Sequence, residues 1–113
     1  MQRKLSEIII EIAMQGLVSQ KYAHSEAMHA LMFLAYVAWN RDTKSSDYVP
    51  KDQYIGFRSQ FHLPKSKIRK ELVSDDWETI INRMIVYKRE HFPDDRRIIT
   101  VCEYTKRRTL RVE

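Results

Sequence analysis

The most apolar stretch of the chain, residues 27–39, reads AMHALMFLAYVAW. A helix that is apolar on every side must be covered on every side, so this segment is predicted to lie at the centre of the fold or of a dimer interface. Ser25 is a candidate N-cap, and Glu26 suits the positive end of the helix dipole. The stretch is shorter than the roughly 20 residues that a membrane span needs, which argues against a membrane protein.

The preceding segment, residues 4–20, has the spacing of an amphipathic helix. Its apolar positions are Leu5, Ile8, Ile9, Ile12, Ala13 and Leu17. This stripe and the apolar central segment offer more apolar surface than one small domain is expected to cover, which predicts a homodimer with two-fold symmetry. The candidate interface residues are Ile9, Ile12, Met28 and Met32.

The strongest helical signal begins at Ser74 and Asp75 and ends at Phe92-Pro93. Acidic residues cluster in its first turn and basic residues in its last, which matches the helix dipole at both ends. Asp75 and Glu78 resemble a capping box. The predicted buried stripe is Trp77, Ile80, Ile81, Met84 and Ile85.

The remaining segments complete the predicted architecture. Residues 40–50 are expected to form a loop, residues 50–63 a short helix, and Pro64 to begin another short helix. The β-branched residues 98–104 and the alternation at 109–112 predict an antiparallel hairpin. The expected fold is α+β and mainly helical, with four or five helices around a buried apolar helix and a C-terminal β-hairpin, in one domain over residues 1–113.

Composition narrows the class of protein. Apolar residues make up 43% of the chain, with only two glycines and three prolines, which favours a packed helical globule over disorder or a many-stranded barrel. Cys102 is the only cysteine, so an internal disulfide framework is excluded and a cytoplasmic protein is expected. The net charge of +5 falls entirely on residues 48–113, which carry fifteen Lys/Arg against ten Asp/Glu. This asymmetry points to an anionic partner.

Basic residues in the C-terminal half are therefore the candidate anion-binding residues. They are Lys65, Lys67, Arg69, Lys70, Arg83, Arg89, Arg96, Arg97, Lys106, Arg107, Arg108 and Arg111. A short helix, a turn, a longer helix and a basic hairpin follow one another in the order found in a winged helix-turn-helix. In that arrangement the longer helix turns one set of residues outward: Thr79, Asn82, Arg83, Val86 and Arg89.

One short segment adds a resemblance. Residues 94–97, Asp-Asp-Arg-Arg, resemble the acidic-then-basic wing element of MarR-type repressors, although the spacing from helix to wing differs. The resemblance covers these four residues and implies a wing that contacts DNA phosphates. The main hypothesis is a non-enzymatic protein that binds an anionic macromolecule, either nucleic acid or an acidic protein.

Two alternatives remain open. A ribonuclease would use His91 or His62 as acid or base beside an arginine, but the Arg-x(4–6)-His signature of HEPN ribonucleases is absent. A homodimeric protein-interaction or ligand-binding module would need no nucleic acid. No metal or cofactor is expected, because Glu26-x-x-His29 has no second copy and Cys102 has no neighbouring ligand. His29 is expected to be a hydrogen-bonded core histidine.

Overall fold

The apolar stretch forms the middle of the longest helix in a computed structural model, which describes residues 3–23, 26–43, 69–74, 76–99, 102–104 and 110–113. Three α-helices and two strands follow in order: α1 (Leu5–Ala13), α2 (Glu26–Thr43), α3 (Trp77–His91), β1 (Cys102–Tyr104) and β2 (Leu110–Val112). Short 3₁₀ turns lie at Met14–Gly16, Gln20–Tyr22 and Arg69–Glu71. The two strands pair antiparallel, with Glu103 opposite Arg111.

Helix α2 is the centre of the core, as its sequence predicts. From Ala27 to Trp39 its residues are buried, except that Phe33 is half-buried and His29 is exposed. Helices α1 and α3 and strand β1 pack against it and supply the cover that its apolar surface requires. The expectation of a core His29 is wrong, because its position on α2 faces outward.

Helix α1 is shorter than the predicted segment 4–20. It ends at Ala13, and after one 3₁₀ turn the backbone of Leu17 becomes extended and pairs with Leu72. Val18 N–H donates to the Glu71 carbonyl at 2.9 Å, and Val73 N–H donates to the Gly16 carbonyl at 2.8 Å. These backbone bonds replace the helical ones that a longer α1 would have made, and they tie residues 16–18 to residues 71–73.

Gly16 allows this close approach between elements. A Cβ at this position would collide with a Leu31 methyl and would lie 3.2 Å from Ile80 Cγ2, and both neighbours are fully buried. Gly16→Ala is therefore expected to lower the free energy of unfolding by about 1–3 kcal/mol, the usual cost of overpacking a core. Urea denaturation measures the change. Leu31→Val in the same chain should recover part of the loss, and strictly additive effects would contradict the steric explanation.

Helix α3 confirms most of the predicted stripe. Trp77, Ile80, Ile81 and Met84 are buried, and Ile85 is half-buried. The N-cap of α3 is Asp76, one residue after the predicted Asp75, and its side chain makes no cap bond to the backbone. The Asp76 carboxylate instead accepts a hydrogen bond at 2.6 Å from the Thr79 hydroxyl. Asp75 lies outside the described residues.

After α3 the chain returns along the end of α2. The Trp39 indole N–H donates to the Arg97 carbonyl at 2.6 Å. The buried Asn40 amide pairs with both backbone groups of Ile99: its nitrogen donates to the carbonyl at 2.7 Å and its oxygen accepts from the N–H at 2.9 Å. The side chain of Asn40 thus satisfies a backbone segment that would otherwise need a neighbouring strand.

The predicted fold class of four or five helices with a C-terminal β-hairpin is wrong. Only three α-helices occur in the described part of the chain, and its β structure is limited to one pairing of three-residue strands. Ile98 and Ile99 were predicted to begin the hairpin, but they lie in no strand because Asn40 binds the Ile99 backbone. Residues 50–63 and the turn at 105–109 lie outside the described residues. The predicted helix from Pro64 is described only as the 3₁₀ turn Arg69–Glu71.

None of the described helices has both the length and the apolar character needed to cross a bilayer.

Candidate anion-binding site

A basic pocket lies where the C-terminal ends of α2 and α3 meet. Its volume is about 200 Å³, and it is lined by Asp42, Lys88, Arg89, Pro93 and Arg96. Helix α2 supplies the carboxylate, the last turn of α3 supplies two cations, and the segment after Pro93 supplies the third. Among the residues that the structure describes, three cationic groups and a single carboxylate therefore line the pocket.

Asp42 is the anionic centre of the pocket and holds two of the cations. Its Oδ2 accepts from Lys88 Nζ at 2.8 Å and its Oδ1 from Arg89 Nε at 2.7 Å, so that each carboxylate oxygen has a charged partner. Burial alone would raise the pKa of Asp42, but the hydrogen bonds from Lys88 and Arg89 outweigh it and lower the pKa. Asp42 is therefore ionised at neutral pH.

Lys88 and Arg89 point in different directions because they are neighbours on a helix. Lys88 follows Met84 by four residues and so joins the buried face of α3, where only 5% of its side chain is exposed. Its ammonium group lies 4.5 Å from the centre of the Trp39 ring, which stabilises the buried charge. The Arg89 side chain is 69% exposed and reaches back to Asp42 from the solvent side.

Arg96 is the third cation of the pocket and has no carboxylate partner among the described residues. It is exposed, and it forms no ion pair with any residue in the described ranges. Of the predicted anion-binding residues whose side chains are described, Arg89 and Arg96 line this pocket.

The adjacent Arg97, unlike Arg96, is paired with a carboxylate of a described residue. It forms hydrogen bonds to both Asp95 carboxylate oxygens, the shortest at 2.6 Å, and donates to the Arg3 carbonyl at 2.7 Å. The hydrogen bonds from Arg97 lower the pKa of Asp95 against the opposing effect of burial, and they raise the pKa of Arg97. The segment that resembles a MarR-type wing is thus an ion-paired turn followed by irregular chain, and residues 92–99 form no strand.

The other candidate residues whose side chains are described do not join this pocket. Lys70 and Arg83 are exposed and lie outside this pocket, and Arg111 pairs with Glu113 at 2.9 Å. The side chain of Arg69 is not among those described. Five further candidates lie outside the described residues: Lys65, Lys67, Lys106, Arg107 and Arg108. The predicted outward face of α3 is exposed at all five of its positions, Thr79, Asn82, Arg83, Val86 and Arg89.

The distribution of charge differs from the expectation of a basic C-terminal half. The described residues carry twelve Lys/Arg and twelve Asp/Glu, so their formal charge sums to zero. The rest of the chain carries eight Lys/Arg and three Asp/Glu, which accounts for the whole +5. The excess positive charge therefore falls on residues 44–68 and 105–109.

The candidate dimer-interface residues lie inside a single chain. Ile9, Ile12, Met28 and Met32 are at most 5% exposed, because α1, α2 and α3 cover one another. They have almost no surface to offer a second copy in this conformation. The apolar stripe of α1 is thus satisfied within the chain, and a homodimer would have to use other residues.

A second cluster contains His91, the histidine of the ribonuclease alternative. The His91 ring stacks on Tyr87 with ring centres 4.1 Å apart, and the Tyr87 hydroxyl donates to Glu11 at 2.8 Å. Burial and this hydrogen bond raise the pKa of Tyr87. Burial would raise the pKa of Glu11, but hydrogen bonds from Arg3 and Tyr87 lower it overall. This cluster joins α1 to α3.

The described residues contain no group of three or more His, Cys, Asp or Glu side chains that could hold a metal ion. His62 lies outside the described residues, and so does the side chain of Glu26, which the half-motif Glu26-x-x-His29 requires.

The lowered pKa values predict how stability depends on pH. Glu11, Asp42 and Asp95 each bind protons more weakly in the folded chain, so each contributes stability above its unfolded pKa of about 4 and loses it as the pH falls below that value. The free energy of unfolding, measured by urea denaturation, should fall between about pH 5 and pH 3. Asp95→Asn should flatten this dependence relative to the wild-type protein. A profile for Asp95→Asn as steep as that of the wild type would contradict the assignment.

Sequence reasoning missed two residues that build the pocket. Asp42 lies in the segment 40–50 that the sequence predicts to be a loop, and Lys88 is one of the basic residues in the predicted last turn of α3, yet the two pair across 46 positions of sequence. One local signal was present, since Lys88 continues the buried i, i+4 stripe of α3 from Met84.

No protein-family model, curated protein or solved structure matches the chain.

Proposed function

We propose that the chain is a non-enzymatic protein that binds nucleic acid through a basic surface, of which the pocket at the ends of α2 and α3 forms part. The observation that carries the proposal is the excess of cations there: among the described residues, Lys88, Arg89 and Arg96 line the pocket with one carboxylate, Asp42. Clustered cations of this kind attract phosphate groups and release the counterions that accompany them.

The uneven charge of the whole chain supports the same ligand. Residues 44–68 begin two residues after the pocket's Asp42 and contain five Lys/Arg against two Asp/Glu, an excess of three positive charges. Residues 105–109 join Tyr104 to Leu110, which are partners across the β pairing, and contain Lys106, Arg107 and Arg108. A polyanion that contacts several such segments would gain affinity from each of them.

The kind of cation favours phosphate over an acidic protein. Arg89 and Arg96 present guanidinium groups, whose planar set of donors matches two oxygens of a phosphate. Carboxylates have the same geometry, but an extended polypeptide carries at most one charge per roughly 3.3 Å, whereas duplex DNA carries one per about 1.7 Å. An acidic polypeptide is the competing ligand to be tested.

Fluorescence anisotropy with three labelled probes tests this function. We expect the protein to bind a duplex or a single-stranded oligonucleotide at low salt more tightly than it binds a polyglutamate of equal charge. Preference for polyglutamate would replace nucleic acid by an acidic protein as the ligand. Absence of binding to all three probes would contradict the proposal.

We also propose that the protein is cytoplasmic and that it acts as a homodimer. Its single cysteine suits a reducing compartment. Because Ile9, Ile12, Met28 and Met32 are buried, the dimer must use other surface residues. Light scattering of the purified protein tests the assembly, and a monomeric mass at concentrations of tens of micromolar would contradict it.

A further inference from the structure

Arg89 is held in a defined orientation that leaves part of its guanidinium group available. Its Nε atom donates to Asp42 Oδ1 at 2.7 Å. Its two Nη atoms form no hydrogen bond with the part of the chain that the structure describes, and the side chain is 69% exposed. The unused donors therefore remain free to bind a ligand.

Asp42 owes its own position to a second buried contact. Its other oxygen binds Lys88, whose ammonium lies over the Trp39 ring, and the side chains of Asp42 and Lys88 are 13% and 5% exposed. The chain of contacts from Trp39 through Lys88 and Asp42 to Arg89 is anchored in the core at one end and reaches solvent at the other. An arginine fixed in this way loses less side-chain entropy when it binds an anion.

Arg96 reaches the same pocket from the irregular segment after α3. It has no ion-pair partner among the described residues, so its guanidinium group competes with no carboxylate of its own. Two available guanidinium groups in one pocket of about 200 Å³ suit a tetrahedral anion, which accepts hydrogen bonds from several directions.

We propose that this pocket is a phosphate subsite in which Arg89 and Arg96 bind the phosphate oxygens and Asp42 is the positioning residue for Arg89. The inference rests on the proposed function, since it assigns one backbone phosphate of the nucleic acid to this pocket.

The Asp42→Asn change distinguishes two possible roles of Asp42, because the two roles predict opposite changes in phosphate affinity. If the carboxylate acted only through its charge, Asp42→Asn would remove a repulsive group and strengthen phosphate binding. If Asp42 positions Arg89, the same change weakens binding, because an amide has one acceptor oxygen where the carboxylate uses two. We expect inorganic phosphate to bind this variant about threefold more weakly or worse.

The experiment follows the arginine Nε–H signals by NMR while inorganic phosphate is added to the full chain. In the wild-type protein the signals of Arg89 and Arg96 should shift together, and the signal of Arg83 should not. Arg89→Gln and Arg96→Gln should each weaken phosphate binding by roughly tenfold or more. Arg83→Gln is the matched control, since it removes the same group from an exposed position of α3 outside the pocket. Both arginines are exposed, so these variants remain informative if Asp42→Asn fails to fold.

Oligonucleotide binding by the same variants distinguishes failure of the subsite from failure of the function. If the wild-type protein binds an oligonucleotide and the Arg89→Gln and Arg96→Gln proteins bind it equally well, the subsite is refuted and the proposed function stands. If no oligonucleotide binds, the proposed function fails and the phosphate titration decides the pocket alone. Phosphate-induced shifts at both arginines would then retain it as a site for a small phosphate compound, and their absence would refute it.

Discussion

Replacing Arg107 and Arg108 together by Glu is expected to lower the affinity for an oligonucleotide by about 100-fold at moderate salt. These residues belong to the segment between Tyr104 and Leu110, one of the two that carry the excess positive charge. Each lost phosphate contact costs about one unit in the slope of log affinity against log salt, or roughly tenfold in affinity near 0.1 M salt. Repulsion by the new carboxylates adds to this loss. Fluorescence anisotropy over a series of protein concentrations measures it.

A matched variant controls for net charge. Lys4→Glu with Lys21→Glu changes the charge by the same amount at two exposed positions of the N-terminal part, and it should weaken binding far less. The free energy of unfolding should change little in the Lys4→Glu/Lys21→Glu protein, because exposed charges contribute little to folding. If both double variants lose the same affinity, the ligand senses only the total charge, and residues 105–109 are not a contact.

Asn40→Ala is expected to lower the free energy of unfolding by about 2–5 kcal/mol, because it would leave both backbone groups of Ile99 without partners. Asn40 and Ile99 are at most 1% exposed, and water cannot replace the lost amide without opening the core. The two hydrogen bonds, 2.7 and 2.9 Å long, also join the segment after α3 to the end of α2. Urea denaturation followed by circular dichroism measures the loss.

Asn82→Ala is the matched control, since Asn82 is exposed on α3 and its replacement should change stability by no more than about 0.5 kcal/mol. Asn40→Asp separates the two bonds, because the carboxylate still accepts from the Ile99 N–H but cannot donate to the carbonyl unless it is protonated. An Asn40→Ala protein as stable as the wild type would show that this amide pairing does not hold the segment in place.

The elements that sequence reasoning identified are those whose signal is local. The apolar surface of residues 27–39 predicts a covered central helix, and the spacing from Trp77 to Met84 predicts the buried stripe of α3. Both signals repeat within a few residues, so they need no knowledge of the rest of the chain. The end of α1 was misplaced because it depends on Gly16, whose backbone pairs with Val73 from a distant segment.

The pocket and the Asn40 pairing could not be inferred in the same way. Asp42 meets Lys88 across 46 positions, and Asn40 meets Ile99 across 59. Asn40 and Asp42 follow an apolar helix and read as the start of a polar loop, yet α2 continues to Thr43 and buries the amide. A helix that continues past its apolar stretch gives no periodic signal for its last turn, so only the packing reveals the role of these polar residues.

The charge pattern is informative when it is counted segment by segment and misleading when it is summed over halves of the chain. Counting by halves suggests a basic C-terminal domain, but residues 76–99 contain equal numbers of basic and acidic residues. Lys88, Arg89 and Arg97 are matched to carboxylates, which leaves Arg96 as the pocket cation without such a partner among the described residues. Charge totals identify the segments that carry an excess of positive charge. Only the contacts in the structure show which cations are available to bind a ligand.

The salt dependence of oligonucleotide affinity tests the central claim, that the cations of this chain bind nucleic-acid phosphates. The logarithm of the association constant should fall linearly with the logarithm of salt concentration, with a slope of about −2 or steeper for three or more phosphate contacts. Affinity that is insensitive to salt, or no saturable binding even at the lowest salt, would contradict the claim.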